Sequence, residues 1–553
     1  MTGKRELSIL VIGVVALIGC AEKQDQASAL PAADSTRVAF DAEGNSLGTV
    51  RFPTSCTEDA QPLLESGLAL LHHMNYLKAE DAFLQASEVD PECAIAYWGA
   101  AMTHVHPLWP DTIHPDAQVS GQALLDKAAV ASHTSEREQG YINALQAYYR
   151  ESNKSETERL RAFASGWATV HEQHPDDLEA SLFYALASLS TASMSDKSLA
   201  KQKAAGAVAE RVKAEIPRHP GAHHYIIHAY DNPPLAENAL ETARSYDDVA
   251  PENTHALHMT SHIFTRRGLW PESITFNRRA ANAAMERTPG GEVSLHYLHA
   301  LDYLAYAYLQ QANDRQASRV LDELNALEGP FQDHAATAYA FAAIPVRLAL
   351  DRHDWALAAQ ASPATPDSIN WTQYPYLVAI PEFARALGAA KTGDFDTARA
   401  AISELGVLEE QAAALNIAYD WGIQVAIQKT GAEAWLAYQQ GDKDKALELM
   451  KRAAEMEAST DKNPVTPGEV LPASELYGDM LLETGDFAAA LAAYETALQR
   501  SPNRFYSLYG AARAAELNDD PVTAAKYYQQ LLDNCPEPSG DRAQLDHARG
   551  FLG

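Results

Sequence analysis

Basic residues are in short supply: 43 lysines and arginines stand against 74 aspartates and glutamates, a net charge of −31. A field of that sign repels phosphate backbones, which argues against nucleic-acid binding, and it argues against adhesion to anionic lipid through a basic patch. Cysteine is scarce too, with four in 553 residues and no CxxC pair. No glycine-rich phosphate loop or nucleophile elbow occurs, so neither nucleotide binding nor serine hydrolysis leaves a trace. Beyond the N-terminus no run is apolar enough to span a bilayer. What is present is an ordinary hydrophobic share of 46% on a chain of 553 residues. That length exceeds one compact core but suits a solenoid, in which each unit packs only on its neighbours.

The N-terminus carries Lys4 and Arg5, then the apolar run Leu7 to Ile18, shorter than the roughly 20 residues a spanning helix needs. The run ends in Leu17-Ile18-Gly19-Cys20, which resembles a bacterial lipobox; a plain secretory leader is the other reading. The resemblance implies lipidation at Cys20 and, with Ala21 rather than Asp next, a place on the periplasmic face of the outer membrane. Residues 1–19 then form the signal peptide, and 20–52 the lipidated cysteine, a small polar tether and a short hairpin around Glu43-Gly44-Asn45-Ser46. An oxidising compartment permits disulfides, and Cys56 with Cys93 flank the first helical repeat as a candidate pair, with two separate buried thiols as the other reading. Cys535 is left over.

From Pro53 onward the pattern is helical, and it repeats. Gly67, Ala79, Phe83, Ala86 and Pro91 occupy positions 8, 20, 24, 27 and 32 of a 34-residue unit. Gly478, Ala490, Tyr494, Ala497 and Pro502 occupy the same five, and Ala524, Tyr528 and Leu531 follow one period later. Small and aromatic residues recur there because two antiparallel helices must approach closely. The expected fold is all-α, a right-handed superhelical solenoid of tetratricopeptide type, with repeats over 53–350 and again over 351–553. Two proline-rich stretches interrupt the period, Pro107 to Asp116 and Asp461 to Pro472. Neither can continue a helix, and long loops of this kind are often functional or cover a face.

Histidine is the abundant chemistry. Nine of the 20 lie between His219 and His299, where an even spread would put about three. His224 and His228 fall at positions 5 and 9 of one unit; His258 and His262 fall at positions 5 and 9 of the next. Residues four apart share a helix face about 6 Å along the axis, and neighbouring helices lie about 10 Å apart. In tetratricopeptide arrays positions 2, 5, 9 and 12 face the concave groove, so the four imidazoles are expected to converge as transition-metal ligands. His255 at position 2 and Asp302 at position 5 of the following unit border them as further ligands. His223, His299, Glu179 and Tyr306 are expected around the site. Copper or zinc suits such a set, with iron third. An open coordination position would make the site catalytic; a closed one would make it storage or a clamp. Hydrogen-bonded histidines lining a peptide-binding groove are the rival account, and the chain is then a metal-free scaffold for a protein or peptide partner.

The segments HHYIIHAYDNP (223–233), HALHMTSHIFTRRGLW (255–270) and HYLHALDYLAYAYLQ (296–310) resemble a family of bacterial secreted tetratricopeptide proteins. So do PVTPGEVLPASELYGDMLL (464–482) and PNRFYSLYGAARAAE (502–516). The resemblance implies the repeat fold and an envelope location. It carries no catalytic role to any residue.

Overall fold

The computed structural model describes residues 36–553 apart from 109–114, 151–153, 194–195, 286–287, 289, 363–364, 416 and 418. Cys20, the leader and most of the tether therefore lie outside the described residues, as does most of the first proline-rich stretch. The architecture is all-α and solenoid-like: 25 α-helices among the described residues, packed in sequence order, with one two-stranded sheet.

That sheet is the expected hairpin. Arg37–Phe40 pairs antiparallel with Ser46–Val50, and the chain turns between them through Gly44 at φ +84°. It docks rather than dangles. The Thr49 amide donates to the Arg218 carbonyl (2.9 Å), and Gly48 lies so close to that carbonyl that a Cβ would come within 2.6 Å.

Why these helices pair is legible at both ends of the array. Phe83 is pressed between Gly67 and Gly99, and Tyr494 between Gly478 and Gly510. A Cβ on Gly99 would lie 2.3 Å from the Phe83 ring, and one on Gly510 would lie 2.2 Å from Tyr494. Glycine lets one aromatic knob fill the space among three helices, which is the packing the repeat pattern encodes. Aspartates 394, 442, 486 and 520 cap second helices by accepting a main-chain N–H near the first turn. Cys56 and Cys93 are joined by a disulfide; Cys535 is free and buried.

The array also closes on itself. The Trp270 indole N–H donates to the Asn503 carbonyl (3.0 Å), and Asn503 Nδ2 donates back to the Gly268 carbonyl (3.0 Å). Within that closure an irregular segment of the chain packs against the histidine helices. Asp461 to Pro472, which its prolines keep out of helix, runs along the histidine helices: the Gly468 and Glu469 carbonyls accept from Arg347 (3.0 and 3.2 Å), and Val465 O accepts from the Tyr303 hydroxyl (3.2 Å).

Candidate metal centre

Three helices carry the site: Pro220–Tyr230, Thr254–Arg266 and Leu295–Gln310. Each begins at a side-chain cap that fixes its rotation. His219 Nδ1 accepts from the Ala222 amide (3.4 Å), Asn253 from Ala256 (3.0 Å) and Ser294 from His296 (3.2 Å). Histidine is a poor helix former, so the fold of these stretches rests on caps and burial rather than propensity.

The sequence places four imidazoles at one point; the structure divides them between two. His224, His228 and His255 form one group, and His258, His262 and His299 form another, each with its ligand atoms within 4.8 Å of one another. In the first, His224 Nε2 is 3.0 Å from His228 Nε2 and 3.2 Å from His255 Nε2. In the second, His258 Nε2 is 3.0 Å from His262 Nε2, and the His258 and His299 ring centres are 4.3 Å apart. Both groups obey one rule: positions 5 and 9 of a unit are completed by position 2 of the next. His255 and His258 stand back to back between them, 6.5 Å apart at the ring centres. Three nitrogens bound to one ion at about 2.0–2.1 Å lie roughly 3.3–3.5 Å from each other, so these edges need little adjustment to accept a metal.

Three of the outer ring nitrogens, those of His224, His258 and His262, are anchored. His224 Nδ1 meets the His72 carbonyl (2.6 Å), which makes it the N–H and turns the Nε2 lone pair inward. His258 Nδ1 meets Asn277 Oδ1 (2.8 Å), and His262 Nδ1 meets Asp231 Oδ2 (2.9 Å). Histidine ligands are characteristically oriented by such partners. Asp231 is shared with Arg266 (2.8 Å) and lies 3.7 Å from Lys462 of the covering segment. Burial alone would push its carboxyl up, but the Lys462 and Arg266 charges outweigh that and hold it well below the usual range. Burial, followed by the repulsion of Arg266, brings the Lys462 ammonium down to about 7.

All six histidines titrate below their ordinary value, with burial the first cause and a neighbouring imidazole the second at His224, His228, His255, His258 and His299. At His262 burial also leads and overrides the opposing pull of Asp231. His73 and His228 are pushed down to about 3, and His223 and His296 to about 4. A histidine whose pKa is lower folded than unfolded binds protons on unfolding, so its stability contribution is complete above about pH 6.5 and is lost below it. Asp479, which burial pushes up to about 7, works in the opposite direction but is outnumbered. The metal-free protein is therefore expected to melt at progressively lower temperature between pH 7 and pH 4.5. A melting temperature that is flat or rises across that interval contradicts the assignment.

The remaining residues singled out from the sequence lie elsewhere. Asp302 joins neither group; Arg347 Nε holds its Oδ1 at 3.0 Å. Tyr306 sits under the guanidiniums of Arg347 and Arg504, at 4.8 and 5.8 Å. His223 bonds back to the His219 carbonyl (3.1 Å) and stacks on Tyr246. Glu179 takes His72 on one oxygen (2.8 Å) and His219 on the other (3.0 Å), all three fully buried. Burial would raise its carboxyl, but the two imidazoles hold it well below the usual range. This third group braces the start of Pro220–Tyr230, because His219 is that helix's cap. His299, expected only at the border, is a full member of the second group.

Three contributors were not singled out. Asp231 stands at position 12, a groove position. Asn277 stands at position 24, where Phe83, Tyr494 and Tyr528 sit in other units; a polar residue there was a usable signal. Tyr303, one turn after His299, brings its hydroxyl 3.3 Å from His262 Nε2.

The tetratricopeptide repeat family profile matches residues 478–537. No curated protein matches the chain. Solved structures that resemble it include "Structure of Naa15/Naa10 bound to HypK-THB", at 12% identity over 89% of this chain and 72% of that one, with a TM-score of 0.24. The fold is an all-α, tetratricopeptide-like helical array, and the profile match falls on residues 478–537 of it.

Proposed function

We propose that this is a repeat scaffold that carries two transition-metal ions, one in each histidine group, and that it is held at the cell envelope through a lipid on Cys20. The observation behind the metal reading is that each group presents three imidazoles to one buried point while outer nitrogens at His224, His258 and His262 are tied to oxygens. Imidazole sets of this kind suit copper and zinc, with iron third. Three protein ligands leave a position open on a four-coordinate ion, and in the second group the Tyr303 hydroxyl, which donates to the Val465 carbonyl, stands 3.3 Å from His262 Nε2 with its oxygen free to accept from whatever binds there. Asp231, Asn277 and the His72 carbonyl orient the ligands.

Metal content of the mature chain after loading with copper(II) or zinc(II) and dialysis tests this. Stoichiometric metal is expected, and it is lost in the double variant His228→Ala, His262→Ala, which breaks both groups. Anchoring is tested separately, by labelled palmitate in a Gram-negative host with Cys20→Ala as control. The second reading, a metal-free interaction scaffold, draws on the tetratricopeptide match at 478–537, outside the histidine region. It predicts no stoichiometric metal before or after substitution.

A further inference from the structure

The segment that covers the histidines also walls a pocket of about 60 Å³, lined on its other sides by the helices Pro375–Thr392 and Trp421–Gln439 and by Tyr339. One water needs about 10–15 Å³ on the same measure, so there is room for several. A smaller cavity of about 20 Å³ shares Tyr339, Tyr376, Trp421, Asn463 and Thr466 with it. Aromatic faces dominate the wall. Tyr376 and Trp421 stack at 4.2 Å, and Tyr419 meets Trp421 edge-on at 4.7 Å.

Two polar atoms there have no partner. Asn463, 3% exposed, uses Oδ1 to accept from the Val465 amide (2.9 Å), which fixes its orientation and leaves Nδ2 unpaired. Gln428 Oε1 is likewise buried and unpaired. A buried donor or acceptor left so is costly, and a wall that keeps one of each is complementary to a ligand that offers the reverse. The charged groups are already engaged. Lys462 donates to the Asn463 and Thr466 carbonyls, Glu469 pairs with Arg500, and Glu457 accepts from the Ala473 and Ser474 amides. The ligand is therefore neutral.

We propose that this cavity binds a small planar carboxamide. Its carbonyl oxygen accepts from Asn463 Nδ2, its N–H donates to Gln428 Oε1, and its ring lies along the Tyr376–Trp421 wall. The site stands independently of the metal reading.

Benzamide titrated into the intact mature protein, followed by calorimetry and tryptophan fluorescence, is the test. Millimolar or tighter binding is expected, weakened at least tenfold by Asn463→Asp, which keeps the acceptor for Val465 and removes the donor. Gln428→Leu is expected to weaken it similarly and serves where the first variant does not fold. Benzoate, which lacks the N–H, is expected to bind at least tenfold more weakly than benzamide. The proposal is overturned by no benzamide binding, by equal binding of benzoate, or by equal affinity in both cavity variants, any of which leaves the cavity to water.

Discussion

Replacing His258, His262 and His299 together by alanine is expected to reduce bound metal from about two ions per chain to about one, while the same change at His224, His228 and His255 removes the other. Each group closes on itself: the shortest nitrogen–nitrogen separations, 3.0 and 3.2 Å, lie within groups, whereas His255 and His258, one from each group, are 6.5 Å apart at their ring centres. Within each group the three ligand nitrogens lie within 4.8 Å of one another, so each ion finds its three bonds of about 2.0–2.1 Å among its own histidines. Each triple variant is therefore expected to retain the far site. Loss of both ions in either variant, with the fold intact by circular dichroism, means the six histidines act as one centre.

Arg504→Met is expected to cost about 3–5 kcal/mol of stability, the usual range for stripping the counterion from a buried pair. The Arg504 side chain is wholly buried; it donates twice to Glu475 (3.0 and 2.9 Å) and once to Asp351 (2.8 Å). Its removal leaves two carboxylates without an ion-pair partner, at 0% and 2% side-chain exposure, held only by neutral donors such as Ser507 and Gln310. Tyr306, whose hydroxyl accepts from the same guanidinium (3.3 Å), loses its anchor as well. The midpoint of urea unfolding measures the loss, and adding Glu475→Gln is expected to recover part of it. A variant within 1 kcal/mol of the parent would show that this closure between distant repeats contributes little.

Much of the fold was readable because tetratricopeptide packing writes itself into spacing. Gly67 with Phe83 and Gly478 with Tyr494 are local pairs, and the structure puts each glycine against its ring. The hairpin at Arg37–Val50 was readable from alternation and a glycine turn. At the site, positions 5 and 9 were readable but their partner was not. An i,i+4 pair already brings two Nε2 atoms to 3.0 Å, so it is completed by a single residue from the next helix, not by a second pair about 10 Å away. Position 2 supplies that residue, which is why His255 and His299 are members and why the four-histidine cluster divides.

Asp302 illustrates what spacing cannot carry. Its register is a ligand's register, but Arg347, one helical hairpin further on, claims it. Nor does the order of residues tell where an irregular segment lies. The prolines of 461–472 mark it as non-helical, yet only the closure of the array brings Lys462 to Asp231 and Val465 to Tyr303. Glu179 is the same case: its partners, His72 and His219, lie 107 and 40 residues away.

Anomalous diffraction from crystals of the metal-loaded protein, recorded on either side of the copper or zinc edge, bears most directly on the two-site assignment. Two peaks are predicted, one among His224, His228 and His255 and one among His258, His262 and His299. A single peak shared by both groups, or peaks confined to the surface, would contradict it.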